Sequence, residues 1–115
     1  MTRLSKPAKE FFDTDSIVWE PVEQMPGAFQ KILSRDSNTG SYTRLVKFLP
    51  GFENYDVLVH DFWEEVYIIK GYIIDKTLKK TFNEGMYACR PPGMKHGPYS
   101  SPAGALLIEF RYYET

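Results

Sequence analysis

Short apolar runs alternate with Gly, Pro and Asn punctuation along most of the chain. No window sustains a helical apolar period over several turns, so the pattern predicts an all-β chain. "AFQKILSR" (28–35) runs into the turn-rich "DSNTG" and returns as "SYTRLVKFL" (41–49), which predicts a hairpin. "PGFEN" turns again, and "DVLVHDF" (56–62) reads as the next strand. "EEVYIIKG" and "YIIDKTL" read as two strands meeting near Gly71. "KKTFNEG", "MYACR", the turn "PPG" and the closing run "ALLIEFRYYE" (105–114) complete the set. A short helix in "PAKEFF" (7–12) is the most that the pattern allows outside the strands.

Parity along these runs assigns faces, because alternate residues of a strand point to opposite sides. In "EEVYIIKG", Glu64, Val66 and Ile68 share one face while Tyr67 and Ile69 share the other. Both faces are apolar beyond the glutamates, which suggests stacked sheets or a subunit interface, and a homodimer is expected. In the closing run the apolar set Leu106, Ile108, Phe110 and Tyr112 is expected to face inward. The opposite choice would turn Glu109 and Arg111 inward as a second polar cluster able to anchor a substrate.

Composition narrows the class. At 115 residues the chain is one domain by length, with residues 1–15 expected as an N-terminal arm that is flexible or exchanged between subunits. A net charge of -1 offers no field for a polyanion, and Lys76, Lys79 and Lys80 read as a solvated turn, so nucleic-acid binding is not expected. Cys89 is the single cysteine, which excludes an internal disulfide, fits a reducing compartment and is expected to be buried. The N-terminus lacks an apolar signal core, and "VYII" and "ALLI" are too short to span a bilayer. A cytoplasmic location without membrane contact is expected.

The chain has two histidines. His60 precedes Glu64 by four residues, two strand-parity steps, so an extended segment places Leu58, His60, Phe62 and Glu64 on one face. An inward imidazole and carboxylate among apolar side chains need a cation, a proton or each other, since an unpaired buried charge is costly. The second histidine closes "GMYACRPPGMKH", where Pro92-Gly93 suits the centre of a type II turn that would aim His96.

Together these stretches resemble the two motifs of the cupin superfamily over about residues 43–112. Three residues separate His60 from Glu64 and six separate Glu64 from Gly71, as in the first motif. Gly85, Pro91, Gly93 and His96 follow the second motif throughout. Leu58 stands where the first motif's leading histidine falls, Gly51 is one residue out of register, and Ser100 takes the place of a common asparagine. The chain is most similar to small single-domain cupins related to the zinc-binding cupin domain of anti-sigma factors, and to iron-dependent dioxygenases that cleave carbon–carbon bonds.

The resemblance implies a small antiparallel β-barrel or jelly roll over residues 16–115, usually dimeric, with a site in its mouth. It implies one divalent transition metal, iron or zinc before manganese or nickel, held by His60, Glu64 and His96. Phe62, Tyr99, Phe110 and Tyr112 are the expected pocket residues. Two histidines and a carboxylate suit a non-haem iron centre or a catalytic zinc with open positions. The expected activity is that of a dioxygenase-type or related metal enzyme on β-diketones, hydroxyketones or phenolic compounds. Because of Leu58, a metal-free isomerase or cyclase with His60 and Glu64 as an acid–base pair stays open. So does a non-catalytic module that binds or senses a small molecule.

Overall fold

A computed structural model describes residues 5–113. Among the described residues are nine strands: β1 (Glu20–Pro21), β2 (Ala28–Arg35), β3 (Tyr42–Phe48), β4 (Phe52–Glu53), β5 (Trp63–Asp75), β6 (Lys80–Asn83), β7 (Tyr87–Arg90), β8 (Tyr99–Ser101) and β9 (Ala105–Tyr112). They form one curled antiparallel sheet in the order β1-β2-β3-β9-β5-β8-β4, with β6 and β7 also pairing with β5. This is a small antiparallel barrel of jelly-roll type.

The hairpin over 28–49 is β2 and β3, paired along their length with one bulge between Ile32 and Ser34. The expected break near Gly71 is instead a bend inside the single strand β5. The register shifts between Ile68 and Lys70, and Gly71 takes φ +80 where a Cβ would lie 2.4 Å from the Gly104 carbonyl oxygen. A glycine there lets one strand turn a barrel corner without ending. Before the bend β5 pairs with β7 and β9; after it, with β6 and β8.

Two further expectations change. The 56–62 segment is no strand: its one ladder contact is the bridge between Leu58 and His96. Residues 7–12 form no helix, and a single 3-10 turn, Thr14–Ser16, capped by the Asp13 side chain, is the helical content of the described residues. The first four residues of the expected N-terminal arm lie outside those described.

The described part of that arm packs on the outer face of β2 and β3. Lys31 donates to the Thr14 carbonyl at 2.9 Å and lies over the Trp19 ring, which Lys47 also covers. Asp36, fully buried, accepts from the Ser5 and Asn38 amides and the Thr39 hydroxyl. Burial pushes its carboxyl up, and these hydrogen bonds overcome that and hold it below the usual range. Cys89 is exposed, because β7 turns its odd positions outward.

The core joins Val46 and Phe48 of β3, Val66, Ile68 and Ile73 of β5, and Leu107 of β9. Phe52 stacks on Phe48 at 4.1 Å between centroids. Each such side chain contributes about 1.5–3 kcal/mol by leaving water. One end of the interior is not filled this way, and there the polar residues gather. No helix among the described residues is long and apolar enough to cross a membrane.

Candidate functional site

Backbone hydrogen bonds sew the two motif segments together. The Leu58 and His96 amides and carbonyls exchange bonds of 2.8 and 2.9 Å, and the Gly93 amide donates to the His60 carbonyl at 2.8 Å. Gly93 has φ +84, the left-handed value its turn position requires. The His60 and His96 rings are thereby brought to 5.1 Å between centroids. Phe62 stacks on His60 at 4.6 Å and holds its plane.

Glu64 enters from β5 and is 1% exposed. One ligating atom each from His60, Glu64 and His96 lie within 4.8 Å of one another. The Nε2 atoms of both histidines are buried without a hydrogen-bond partner. All three residues line a cavity of about 700 Å³ at the barrel mouth.

The same wall carries a row of charges set by strand register. Glu64 faces Arg90 across β5–β7 and Arg111 across β5–β9, while Arg44 faces Glu109 across β3–β9. Arg90 Nη1 donates to Glu64 Oε1 at 2.8 Å, and Arg111 Nε donates to Oε2 at 2.6 Å. Arg44 Nε and Nη2 both reach Glu109 Oε1 at 2.8 Å. Arg90 Nη2 continues to the Tyr99 hydroxyl at 2.6 Å, and that hydroxyl lies 3.2 Å from His96 Nδ1. Glu64 and His96 are thus ends of one hydrogen-bonded chain.

Burial and the guanidinium charges leave both imidazoles neutral at ordinary pH. Burial first, then Arg111, lowers His60; burial first, then Arg90, pushes His96 down to about 3. For Glu64, burial and neighbouring Glu109 raise the carboxyl above its usual value against the pull of Arg111 and Arg90. Burial works the same way on Glu109, but Arg44 and Arg111 outweigh it and hold that carboxyl down. Burial raises the Tyr99 phenol to about 12.

The pocket expectation for β9 is reversed. Leu107, Glu109 and Arg111 face the cavity, whereas Phe110 is 39% exposed and Tyr112 stacks on Trp63 outside. Buried Glu64 on the neighbouring strand needs cations beside it, and only the register that turns Arg111 inward supplies one from β9. Tyr99 does line the cavity; Phe62 backs His60 without lining it. Asp61 is exposed, and Glu65 faces outward between the Tyr87 and Tyr112 hydroxyls. Arg44 was not anticipated as a site residue, and Arg90, though able to bind an acidic substrate, was expected to be exposed before its turn. Their signal was parity: Arg44 alternates with core Val46 and Phe48, and Arg90 with Ala88.

A curled antiparallel barrel with two histidines and a glutamate converging in its mouth defines a cupin. The chain belongs to the ChrR cupin-like domain family, whose model matches residues 7–112. Solved structures agree on the fold. An RmlC-like cupin from Shewanella frigidimarina superposes with TM-score 0.73 at 21% identity, covering 93% of each chain. The acetylacetone dioxygenase of Acinetobacter johnsonii gives 0.71 at 18%, over 93% of this chain and 75% of its own. The polyketide cyclase RemF of Streptomyces resistomycificus gives 0.76 at 13%, over 93% and 81%. Among curated protein sequences nothing matches.

Proposed function

We propose that this cupin binds one divalent transition metal, iron or zinc, through His60, Glu64 and His96, and acts on a small organic molecule in the barrel cavity. The observation that carries the reading is the pair of buried, unpartnered Nε2 atoms beside the Glu64 carboxylate. Neutral imidazoles with free lone pairs are what a metal takes, and a carboxylate can ligate while hydrogen-bonded to a guanidinium. The donor set therefore fits the ion.

Bound there, the metal would supply Lewis acidity and open positions for substrate or, as iron, oxygen chemistry. The rest falls to the chain's own side chains. Tyr99 orients His96 through Nδ1. Arg90 and Arg111 fix the Glu64 carboxylate and present positive charge to a substrate oxygen. Leu58 and the core aliphatics exclude water from that side. The acetylacetone dioxygenase among the structural neighbours supports a dioxygenase-type reaction on a carbonyl compound.

A second reading rests on the ion pairs themselves. Glu64 has both oxygens committed to arginines, and Leu58 offers no donor, which favours a metal-free isomerase or cyclase with His60 as the base. The polyketide cyclase among the neighbours supports it.

Metal content decides between them. Untagged protein purified without chelator is expected to carry near-stoichiometric metal by plasma mass spectrometry, lost in His60→Ala and His96→Ala. Metal below a tenth of stoichiometry after reconstitution with each ion would overturn the metal reading.

Assembly and location belong to the same proposal: a homodimer in a reducing cytoplasm, which the exposed apolar face of β5, β7 and β9 and the lone cysteine support.

A further inference from the structure

A second cavity, of about 370 Å³, shares Val66, Ile73, Arg90, His96 and Tyr99 with the first. Beyond that common wall its lining is largely apolar, with Ile68 of β5, Phe82 of β6 and Ala88 of β7. Its rim is apolar too. Val57, Leu78, Met86, Tyr87 and Met94 all surround it, and each is at least 44% exposed. Isolated exposed hydrophobics are ordinary, but five around one opening of ligand-sized volume are a binding feature.

The polar end of this cavity is cationic. Arg90 stands at the common wall, with Lys95 on the rim and Arg44 and Arg111 behind the wall. The cavity's own acid, Asp75, turns its Oδ1 to the Thr77 and Leu78 amides at 2.9 Å; counted with buried Glu64 and Glu109, it leaves these four cations one charge in excess of the three carboxylates. An apolar space with positive charge where it meets a polar cavity complements a molecule with one greasy and one anionic end.

We infer that the chain binds a monoanionic amphiphile, with its alkyl chain or ring in the second cavity and its carboxylate at the Arg90–His96 wall. Of the three proposed metal ligands His96 alone lines the second cavity, so the assignment is tested on metal-free protein.

The test is calorimetric titration of the metal-free protein with hexanoate, octanoate, decanoate and 1-octanol. Affinity is expected to rise roughly fourfold per methylene until the cavity is full. The alcohol is expected to bind about tenfold more weakly than octanoate for want of the charged contact. Ala88→Phe fills the space and is expected to abolish the heat. Met86→Glu and Met94→Glu, on the exposed rim where folding is not at stake, are expected to weaken binding about tenfold. Affinities that ignore chain length, an alcohol that binds as well as the acid, or rim variants that bind like the parent would each overturn the inference. A rim variant that turns a dimer into a monomer, in a parent that binds no octanoate, would overturn it too and assign the rim to a second copy. Metal loss in His60→Ala with an unchanged octanoate titration separates this site from the metal reading.

Discussion

Glu64 and Arg90 face each other across the β5–β7 ladder, joined by a 2.8 Å ion pair in which the carboxylate is almost wholly buried. Arg111 completes the clamp from the opposite neighbour, so one glutamate sits between two guanidiniums. Removing Glu64 leaves Arg90 without its carboxylate and Arg111 with Glu109 alone, at 3.4 Å. Glu64→Leu is expected to cost about 3–5 kcal/mol in urea unfolding. Arg90→Ala, which leaves the Arg111 partner in place, is expected to cost less. Equal losses in the two variants would show that Arg111 cannot hold Glu64 without Arg90.

Tyr99 hydrogen-bonds Arg90 and His96 through its hydroxyl while its ring lies near both, so Tyr99→Phe, which keeps the ring, isolates the hydroxyl link. A stability loss of about 1 kcal/mol is expected from the lost hydrogen bond. If His96 ligates through Nε2, metal affinity should fall about 10–100-fold, as for other groups that orient a ligating imidazole. Competition against a fluorescent chelator reads the second quantity independently of the first.

The lowered histidines make stability depend on pH with a definite sign. Above about 6.5, the ordinary histidine value, His96 is neutral in both the folded and unfolded chain. As pH falls, the unfolded chain takes up a proton while folded His96, held down to about 3, does not, so stability is lost. For His96 the loss from pH 7 to pH 5 is about 2 kcal/mol, and His60 pulls the same way. Urea midpoints of metal-free protein at the two pH values should show it, and His96→Gln should reduce the difference.

Two glycines with positive φ should respond very differently to alanine. At Gly71 a Cβ would meet the Gly104 carbonyl oxygen at 2.4 Å and Ala105 Cα at 2.9 Å, both backbone atoms. At Gly93 nothing lies within 4 Å. Gly93→Ala is expected to cost about 1–2 kcal/mol of backbone strain, and Gly71→Ala about 3 kcal/mol or more. Similar melting temperatures for the two variants would contradict the corner role given to Gly71.

Tyr67, Tyr87 and Phe110 lie together on the outer face of β5, β7 and β9, and the described N-terminal residues cover β2 and β3 instead. If a second copy covers this face, Tyr67→Lys with Phe110→Lys should shift the protein to a monomer in light-scattering chromatography. Retention of a dimer would place the interface elsewhere.

The convergence of His60, Glu64 and His96 was legible because motif spacing fixes both turns and the strand that carries each side chain. The hairpin of β2 and β3 was legible for a similar reason: its turn residues are unambiguous and its alternation is clean. The inward turn of Arg111 was hidden by a choice that one strand cannot make alone. In β9 either parity gives a plausible face, and local burial favours Phe110 and Tyr112 inside. The decision comes from β5, where Glu64 must find cations across the ladder. The 56–62 segment misled for the converse reason. Its alternation is strand-like, yet His60 and Leu58 are held by bonds to the 93–96 turn, which leaves no room for a ladder.

β9 lies between β3 and β5, so the last of the described strands in chain order is the one on which the others close. It also brings Glu109 and Arg111 to the wall and pairs directly with Glu64. On the ribosome, residues up to about 100 would therefore emerge with β3 and β5 both unpaired on that side and Glu64 short of one of its two cations. Such exposed edges are where nascent β-chains associate wrongly. The charges that shape the pocket thus also make this barrel dependent on β9 for safe folding during synthesis.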